Sequence, residues 1–189
     1  MMKQPLYYIL TGAMGGGKST IVNHLLQRKM RCIPEPARAI LKEQRNIDAD
    51  GVPEINACLF TQLMLSRSIN NYTNHYDTEK PILFDRAIPD MIAYADLFKL
   101  DTRIYYNASK YYQYNNTVFL CKGWESIYAN DDERKMSFEQ ANEFGNRTEE
   151  LYHELGYNVT IVPNVDIEKR IEFIENIIFN DEMAKYSEE

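Results

Sequence analysis

The chain has 189 residues, 44% of them hydrophobic, which is enough for one α/β domain with a sizeable core. Its net charge of −7 argues against a surface built mainly for nucleic acid. Its three cysteines fit neither a disulfide framework nor a zinc spacing, and no apolar run approaches the ~20 residues of a membrane span. We expect a cytoplasmic protein that binds neither nucleic acid nor membrane, with one domain over residues 1–180 and a loosely ordered tail over 181–189. A homodimer is compatible with this sequence.

The first predicted element is a short apolar strand, Tyr7 to Leu10, which runs into a glycine-rich loop and then a helical pattern. This stretch contains the spacing G-x-x-x-x-G-K-[ST] of a phosphate-binding P-loop. Glycines let such a loop curl around an anion, and the dipole of the following helix adds to the attraction. The sequence therefore predicts a site for ATP and Mg²⁺. The residues predicted to bind the nucleotide are Gly12, Gly15, Gly16, Gly17, Lys18, Ser19 and Thr20.

The motif assigns a different task to each of its last three residues. Lys18 is expected to reach the β- and γ-phosphates, and the Ser19 hydroxyl is expected to bind Mg²⁺. Thr20, one position further along the first helical turn, is placed to touch the α-phosphate.

A brief second strand, Arg31 to Pro34, leads to Glu35 and then to a helix over Ala37 to Arg45. Two interpretations of Glu35 are equally open. Its carboxylate could cap the helix, or it could lie at the edge of the sheet where ligands bind in open α/β folds and accept the proton of an attacking hydroxyl.

A long helix is predicted from about Glu54 to Tyr76, followed by a third strand over Ile82 to Phe84. This strand ends in Asp85, as the second nucleotide-binding motif requires, so Asp85 is expected to hold Mg²⁺ directly or through water. The weaker alternative is that Asp85 caps the next helix. Rotary and unfolding ATPases usually place a water-activating glutamate beside this aspartate. Arg86 stands there instead, which favours a second anionic or polar substrate.

The remaining elements continue the alternation of strands and helices, which predicts a parallel sheet flanked by helices. Their expected ranges are helices at 89–98 and 102–112, a strand at 117–121, a helix at 137–155, a strand at 159–162, and a last helix from Asp166 to about Phe179.

Several stretches together resemble a family of small P-loop ATPases with AAA-type ATP-binding domains. They are Gly12 to Thr20, Pro34 to Arg38, Asp85 to Asp90, Trp124, Tyr128 and Asp132 to Arg134. The layout is also similar to deoxyribonucleoside, thymidylate and nicotinamide-riboside kinases. The resemblance implies a kinase fold with strand order 2-3-1-4-5 and a lid between the fourth and fifth strands, at about 122–147. In deoxyribonucleoside kinases a Pro-Glu-Pro supplies the base and an acid–arginine pair ends the third strand; Glu35 and Asp85-Arg86 fall on those positions.

One feature of deoxyribonucleoside kinases is missing. They read the base with a glutamine and an arginine on one side of a helix, whereas Gln62 and Arg67 are five residues apart, roughly 140° around a helix. Nucleoside specificity is therefore not supported. Arg134, Lys135 and Arg147 are candidates for a lid cation that neutralises the transferring phosphoryl group, and Arg134 is preferred. Trp124 could anchor the lid or stack on a ligand.

These observations predict a kinase that transfers the γ-phosphate of ATP to a hydroxyl or phosphate of a small metabolite. The predicted catalytic residues are Lys18, Glu35, Asp85, Arg86 and Arg134, and the predicted metal ligands are Ser19 and Asp85. The alternative is a regulatory ATPase that hydrolyses slowly and acts through a partner protein. The Asp85-Arg86 pair and the short chain favour the kinase.

Overall fold

The computed structural model describes residues 6–74, 80–128 and 136–187. Five strands form one parallel sheet, in the order β2-β3-β1-β4-β5. The strands are β1 (Tyr7–Gly12), β2 (Arg31–Ile33), β3 (Ile82–Asp85), β4 (Thr117–Cys121) and β5 (Asn158–Val162). The α/β class, the parallel sheet and the strand order of a P-loop fold are thereby confirmed.

Helices cover both faces of this sheet. They are α1 (Lys18–Gln27), α2 (Ala37–Asn46), α3 (Pro53–Thr73), α4 (Asp90–Leu97), α5 (Arg103–Tyr111), α6 (Phe138–Glu154) and α7 (Ile167–Ser187). Helices α1 and α7 pack on one face through buried aliphatic side chains such as Leu25 and Ile174. The other face is buried under α3 to α6, with Tyr72 and Tyr152 among the rings against β1 and β3. Because the strands are parallel, their carboxyl ends lie together at one edge of the sheet, which the flanking helices leave uncovered.

The register of the strands brings three predicted site segments to that edge. Leu10 of β1 is opposite Asp85 of β3, and Gly12 is opposite Cys121 of β4. Strand β2 pairs with β3 on its other side and ends just before Glu35. Because carboxyl ends of parallel strands share an edge, the P-loop, Asp85 and Glu35 converge there.

The expected lid over 122–147 overlaps an ordered helix in its second half. Residues 138–147 belong to α6, whose Phe144 and Gly145 are buried against the rest of the domain. The helix starts at a capping box in which Ser137 accepts from the Gln140 backbone N–H while the Gln140 side chain accepts from the Ser137 N–H. This part of the expected lid is therefore packed against the domain core. Residues 129–135, including the preferred Arg134 and Lys135, lie outside the described residues.

Two helix boundaries also differ from expectation. Helix α7 continues to Ser187, where the sequence predicts an end near Phe179 and a loose tail. Helix α3 has a break at Asn56, which has non-helical φ and ψ angles of −144° and 82°. The side chain of Asn56 accepts a hydrogen bond from the Leu59 backbone N–H at 3.0 Å, so it acts as a cap for the longer part of the helix.

Candidate active site

The loop between β1 and α1 is curled by glycines in the left-handed region. Gly12, Gly15 and Gly17 have φ angles of 114°, 78° and 84°. A Cβ at Gly12 would lie 2.1 Å from the carbonyl oxygen of Cys121 in β4, so only glycine allows this close approach. The Ala13 N–H donates to the same oxygen at 2.9 Å. The loop therefore leaves the sheet as a tight turn that ends at the first residue of α1.

Lys18, the first residue of α1, is buried with its ammonium group turned onto the loop. Its Nζ donates to the carbonyl oxygen of Ala13 at 2.7 Å and is 3.4 Å from that of Gly12. Burial and the neighbouring Arg86 lower the pKa of Lys18 to about 8, although Asp85 acts in the opposite direction. A phosphate would meet a cation that is already desolvated and held in place.

Asp85 ends β3 and is 5% exposed. Within the described part of the chain its Oδ1 has no hydrogen-bond partner. Burial, together with Glu35, raises the pKa of Asp85 to about 6, and Lys18 and Arg86 oppose this increase. A buried carboxylate oxygen without a donor fits a group that is completed by a cation, which is the role expected for a Mg²⁺ ligand. No cluster of three or more His, Cys, Asp or Glu side chains that could hold a metal occurs among the described residues.

Glu35 does not cap α2; the structure gives no side-chain cap for that helix. Its Oε1 instead accepts a hydrogen bond from the Tyr94 hydroxyl at 2.7 Å. Arg86 Nε lies 2.8 Å from the same oxygen. In the part of the chain that the structure describes, the Nε–H does not point at an acceptor, so this second contact is an ion pair and not a directed hydrogen bond. Burial favours the neutral acid, but Arg86, Lys18 and the Tyr94 hydrogen bond outweigh it and hold the pKa of Glu35 below its usual range.

Arg86 is itself fixed by Asp90, at the start of α4. Arg86 has a φ of 61°, an uncommon value for a residue other than glycine, and its Nη1 donates to Asp90 Oδ1 at 3.1 Å. Asp90 is fully buried and also accepts from the Thr11 hydroxyl, from the Tyr152 hydroxyl at 2.6 Å and from the Ala87 N–H at 2.9 Å. The guanidinium group also lies 5.1 Å from the centre of the Phe144 ring. These contacts allow the Arg86 side chain very little freedom.

The P-loop and the Glu35 group line one cavity of about 770 Å³. Gly15, Gly17, Lys18, Ser19 and Thr20 form part of its wall, and Glu35, Arg38, Arg86 and Tyr94 form another part. Asp85 is not in the wall, although it is close enough to affect the charges of Lys18 and Arg86. Lys18, Ser19, Glu35 and Arg86 therefore share this cavity, whereas Gly12, Gly16 and Asp85 lie outside its wall.

A family of AAA domains matches residues 7–170 of this sequence. The chain is a member of that AAA domain family. No curated protein matches it in sequence.

Several solved structures are similar to this chain in fold. Deoxyadenosine kinase from M. mycoides, with the products dCMP and dCDP bound, is 19% identical with a TM-score of 0.69. That comparison covers 92% of this chain and 99% of the kinase. The NadR protein in complex with NR is 17% identical with a TM-score of 0.58, over 85% of this chain and 46% of NadR. This AAA domain protein therefore has a P-loop kinase-like fold similar to that of nucleoside kinases, and it spans about half the length of NadR.

Two residues that line the cavity of this AAA domain protein, Tyr94 and Arg170, carry no recognisable sequence signal. Helix α4 begins at Asp90, which contacts Arg86. Tyr94 lies one helical turn later and contacts Glu35. Arg170 of α7 donates to the carbonyl oxygen of Gly16 at 3.0 Å and lines the cavity. A mid-helix tyrosine or arginine is unremarkable in a sequence, and only the packing of α4 and α7 assigns these two to the site.

Other predicted residues are engaged elsewhere. Arg147, a candidate for the lid cation, is 2.9 Å from Asp96 and 2.8 Å from Glu154, and it does not line the cavity. Trp124 does line the cavity, and its ring lies 5.5 Å from the guanidinium carbon of Arg170.

Within the described residues, no helix is both long enough and apolar enough to cross a membrane.

Proposed function

We propose that this protein is an ATP-dependent kinase that phosphorylates a hydroxyl group of a small metabolite. The observation that carries the proposal is that Glu35, paired with Arg86, shares one cavity with Lys18 and Ser19 of the P-loop. A kinase needs a phosphate donor site and a base for the acceptor within one enclosed volume.

The P-loop half of the cavity would hold the donor. Backbone N–H groups of the loop and the N-terminus of α1 would face the phosphates, and Lys18 would move from the Ala13 carbonyl to the β- and γ-phosphates. Ser19 would bind Mg²⁺, and Asp85 would hold it through a water molecule, since Asp85 is set behind the cavity wall. The ion would neutralise phosphate charge.

The Glu35 half would hold the acceptor. Glu35 would take the proton of the acceptor hydroxyl while the hydroxyl oxygen forms a bond to the γ-phosphorus. The bond from that phosphorus to the bridging β–γ oxygen breaks, and ADP leaves. Arg86, held by Asp90, would stabilise charge on the transferring group, because its position is fixed before the reaction starts.

The cavity wall suggests the shape of the acceptor. Besides the P-loop it is largely apolar and partly aromatic with some charged side chains, and it includes Met14, Leu41, Phe60, Tyr94, Leu97 and Phe98 together with Arg38, Arg45 and Glu54. Gln62 and Arg67 are not in this wall, and Arg67 pairs with Glu43 at 2.9 Å on the surface. We infer an acceptor with a flat, largely apolar body and a hydroxyl group, not one whose base is read as in deoxyribonucleoside kinases.

The test is acceptor-dependent ADP release by the purified protein with Mg·ATP. Nucleosides and other ring-bearing alcohols serve as acceptors, and mass spectrometry identifies the phosphorylated product. For an active acceptor, Glu35→Gln is expected to lower kcat by roughly 10²–10⁴-fold while the Kd for ATP stays unchanged, because a general base contributes about that much. Glu43→Gln, the same change on the exposed side of α2, is the control. ATP binding without any acceptor-dependent release would instead support the regulatory ATPase.

A further inference from the structure

Both contacts of the Glu35 carboxylate fall on one of its two oxygens. The Tyr94 hydroxyl donates to Oε1 at 2.7 Å, and Arg86 Nε lies 2.8 Å from Oε1. The structure gives no hydrogen bond to Oε2 from the described residues, and the Glu35 side chain is 22% exposed in the cavity wall. The two oxygens therefore have different surroundings, and Oε2 is the one left to contact a ligand.

Among the described residues, only Tyr94 gives Oε1 a directed hydrogen bond, since the Arg86 Nε–H is not aimed at it. An ion pair without direction fixes the charge of a carboxylate but not its rotation about the last torsion, which is broad for glutamate. A hydrogen bond from a rigid phenol fixes both the position and the rotation of the group. Tyr94 is therefore the residue that can decide where Oε2 points.

The Tyr94 ring is well suited to this task because it is held on several sides. The side chain is buried, and its ring centre lies 5.0 Å from that of Phe144 and 6.4 Å from that of Phe98. The guanidinium carbon of Arg86 lies 5.7 Å from the ring centre. Burial and the nearby Glu35 raise the pKa of Tyr94 well above its usual value, so the hydroxyl keeps its proton and remains a donor.

Helix α4 links this hydrogen bond to the anchor of Arg86. Asp90, in its first turn, accepts from Arg86 Nη1, and Tyr94, one turn later, donates to Glu35. A single rigid element thus sets both the cation and the carboxylate. Displacement of a reacting group by about 1 Å can lower a rate by ~10²-fold, so such a fixed arrangement matters for turnover.

We propose that Tyr94 is a positioning residue, which holds Glu35 through Oε1 so that Oε2 faces the acceptor hydroxyl and takes its proton. This inference deepens the proposed kinase function and rests on it. Tyr94 itself exchanges no proton in the reaction; the acceptor proton moves to Oε2 and is later released to solvent.

The test is a double-mutant cycle on acceptor-dependent turnover. Tyr94→Phe keeps the ring and its packing but removes the donor, so kcat should fall by about 10- to 100-fold with the KM for ATP unchanged. In a Glu35→Gln background the same change should cause no further loss, because there is no carboxylate base left to orient. A purely structural effect would lower turnover equally in both backgrounds.

Tyr72→Phe is the matched control. Tyr72 is also a buried tyrosine, and its hydroxyl donates to the Gln113 backbone carbonyl at 2.7 Å, away from the cavity. This control should leave kcat unchanged. If Tyr94→Phe turns over as fast as the wild type, or slows both backgrounds equally, the positioning role is wrong while the kinase proposal stands. If the wild type shows no acceptor-dependent turnover, the kinase proposal fails, and the role of Tyr94 fails with it.

Discussion

At the scale of single residues, the folded environment of Asp85 disfavours its charged form. Its carboxylate is buried, its Oδ1 has no hydrogen-bond donor among the described residues, and its pKa is raised to about 6. An acid whose pKa is higher in the folded state binds a proton more readily there than in the unfolded chain. The resulting cost to folding is absent below pH ~4, grows as the pH rises toward 6, and is fully present above it.

Asp85→Asn should therefore stabilise the nucleotide-free protein at neutral pH. We expect the free energy of unfolding to rise by about 1–3 kcal/mol at pH 7.5, and the gain to disappear near pH 4, where wild-type Asp85 is protonated in both states. Urea unfolding at several pH values measures the difference. Asp50→Asn, at an exposed acid, is the control and should show no such trend. An equal effect at both ends of the pH range would refute the argument.

At the scale of elements, helix α6 supports the P-loop through a glycine. A Cβ at Gly145 would lie 2.7 Å from the Cβ of Ala13 and 2.9 Å from its Cα and backbone nitrogen. The loop and the helix can be this close only because position 145 has no side chain. The P-loop is therefore braced by α6 as well as by its own turn.

Gly145→Ala should displace the loop. Alanine favours helix by about 1 kcal/mol over glycine, but overpacking against backbone costs about 1–3 kcal/mol, so a net loss of stability is expected. ATP binding should weaken as well, because Ala13 is the residue whose carbonyl holds Lys18. Calorimetric titration and urea unfolding measure the two effects. Asn146→Ala, on the exposed side of the same helix, serves as control; unchanged ATP affinity in Gly145→Ala would show that α6 does not brace the loop.

At the same scale, some elements of the fold can be predicted from the sequence and others cannot. Strand β4 and the Ser137 start of α6 follow from local patterns, namely a short apolar run and a polar cap before an amphipathic stretch. The P-loop was predictable because its glycine spacing reflects local backbone geometry. The partner of Glu35 was not, because a carboxylate after a strand can cap a helix or pair across the fold, and only the position of Arg86 and Tyr94 decides between them.

The lid range over 122–147 and the predicted helix at 137–155 overlap, and the sequence does not show which of the two residues 138–147 follow. In the structure these residues belong to α6, whose Phe144 packs against Tyr94 of α4. Arg170 was missed because its neighbours in the chain give no sign that α7 reaches the P-loop. Long-range packing, which a single sequence does not display, accounts for each of these differences.

At the scale of the whole molecule, α7 ties the C-terminal part of the chain to the nucleotide site. Arg170 is 2% exposed, donates to the Gly16 carbonyl at 3.0 Å and lies near the Cys121 sulfur at 3.2 Å. Among the described residues, the cavity wall has five cationic side chains, Lys18, Arg38, Arg45, Arg86 and Arg170, against the three acids Glu35, Glu54 and Asp166, within a chain of net charge −7. A local excess of positive charge in an acidic protein focuses attraction for polyphosphate on this one place.

Arg170→Met should loosen this connection while keeping the volume of the side chain. We expect the unfolding free energy to fall by about 1–3 kcal/mol, because the Gly16 carbonyl loses its donor inside the protein. ATP affinity should fall as well, by about tenfold if one charge-assisted contact near the phosphates is lost. Arg103→Met, at a 78% exposed side chain, is the control. Full ATP affinity in Arg170→Met would mean that α7 acts on folding alone.

The single cavity shared by the P-loop and the Glu35 group also has a consequence for inhibitor design. A compound that tethers an adenosine polyphosphate to a flat apolar head could engage both halves at once. Binding of the second half would then be intramolecular, and avidity can exceed the affinity of either fragment by roughly 10²–10⁴-fold when the tether matches the span. The tether length that binds best would measure the span between the two halves of the cavity in solution.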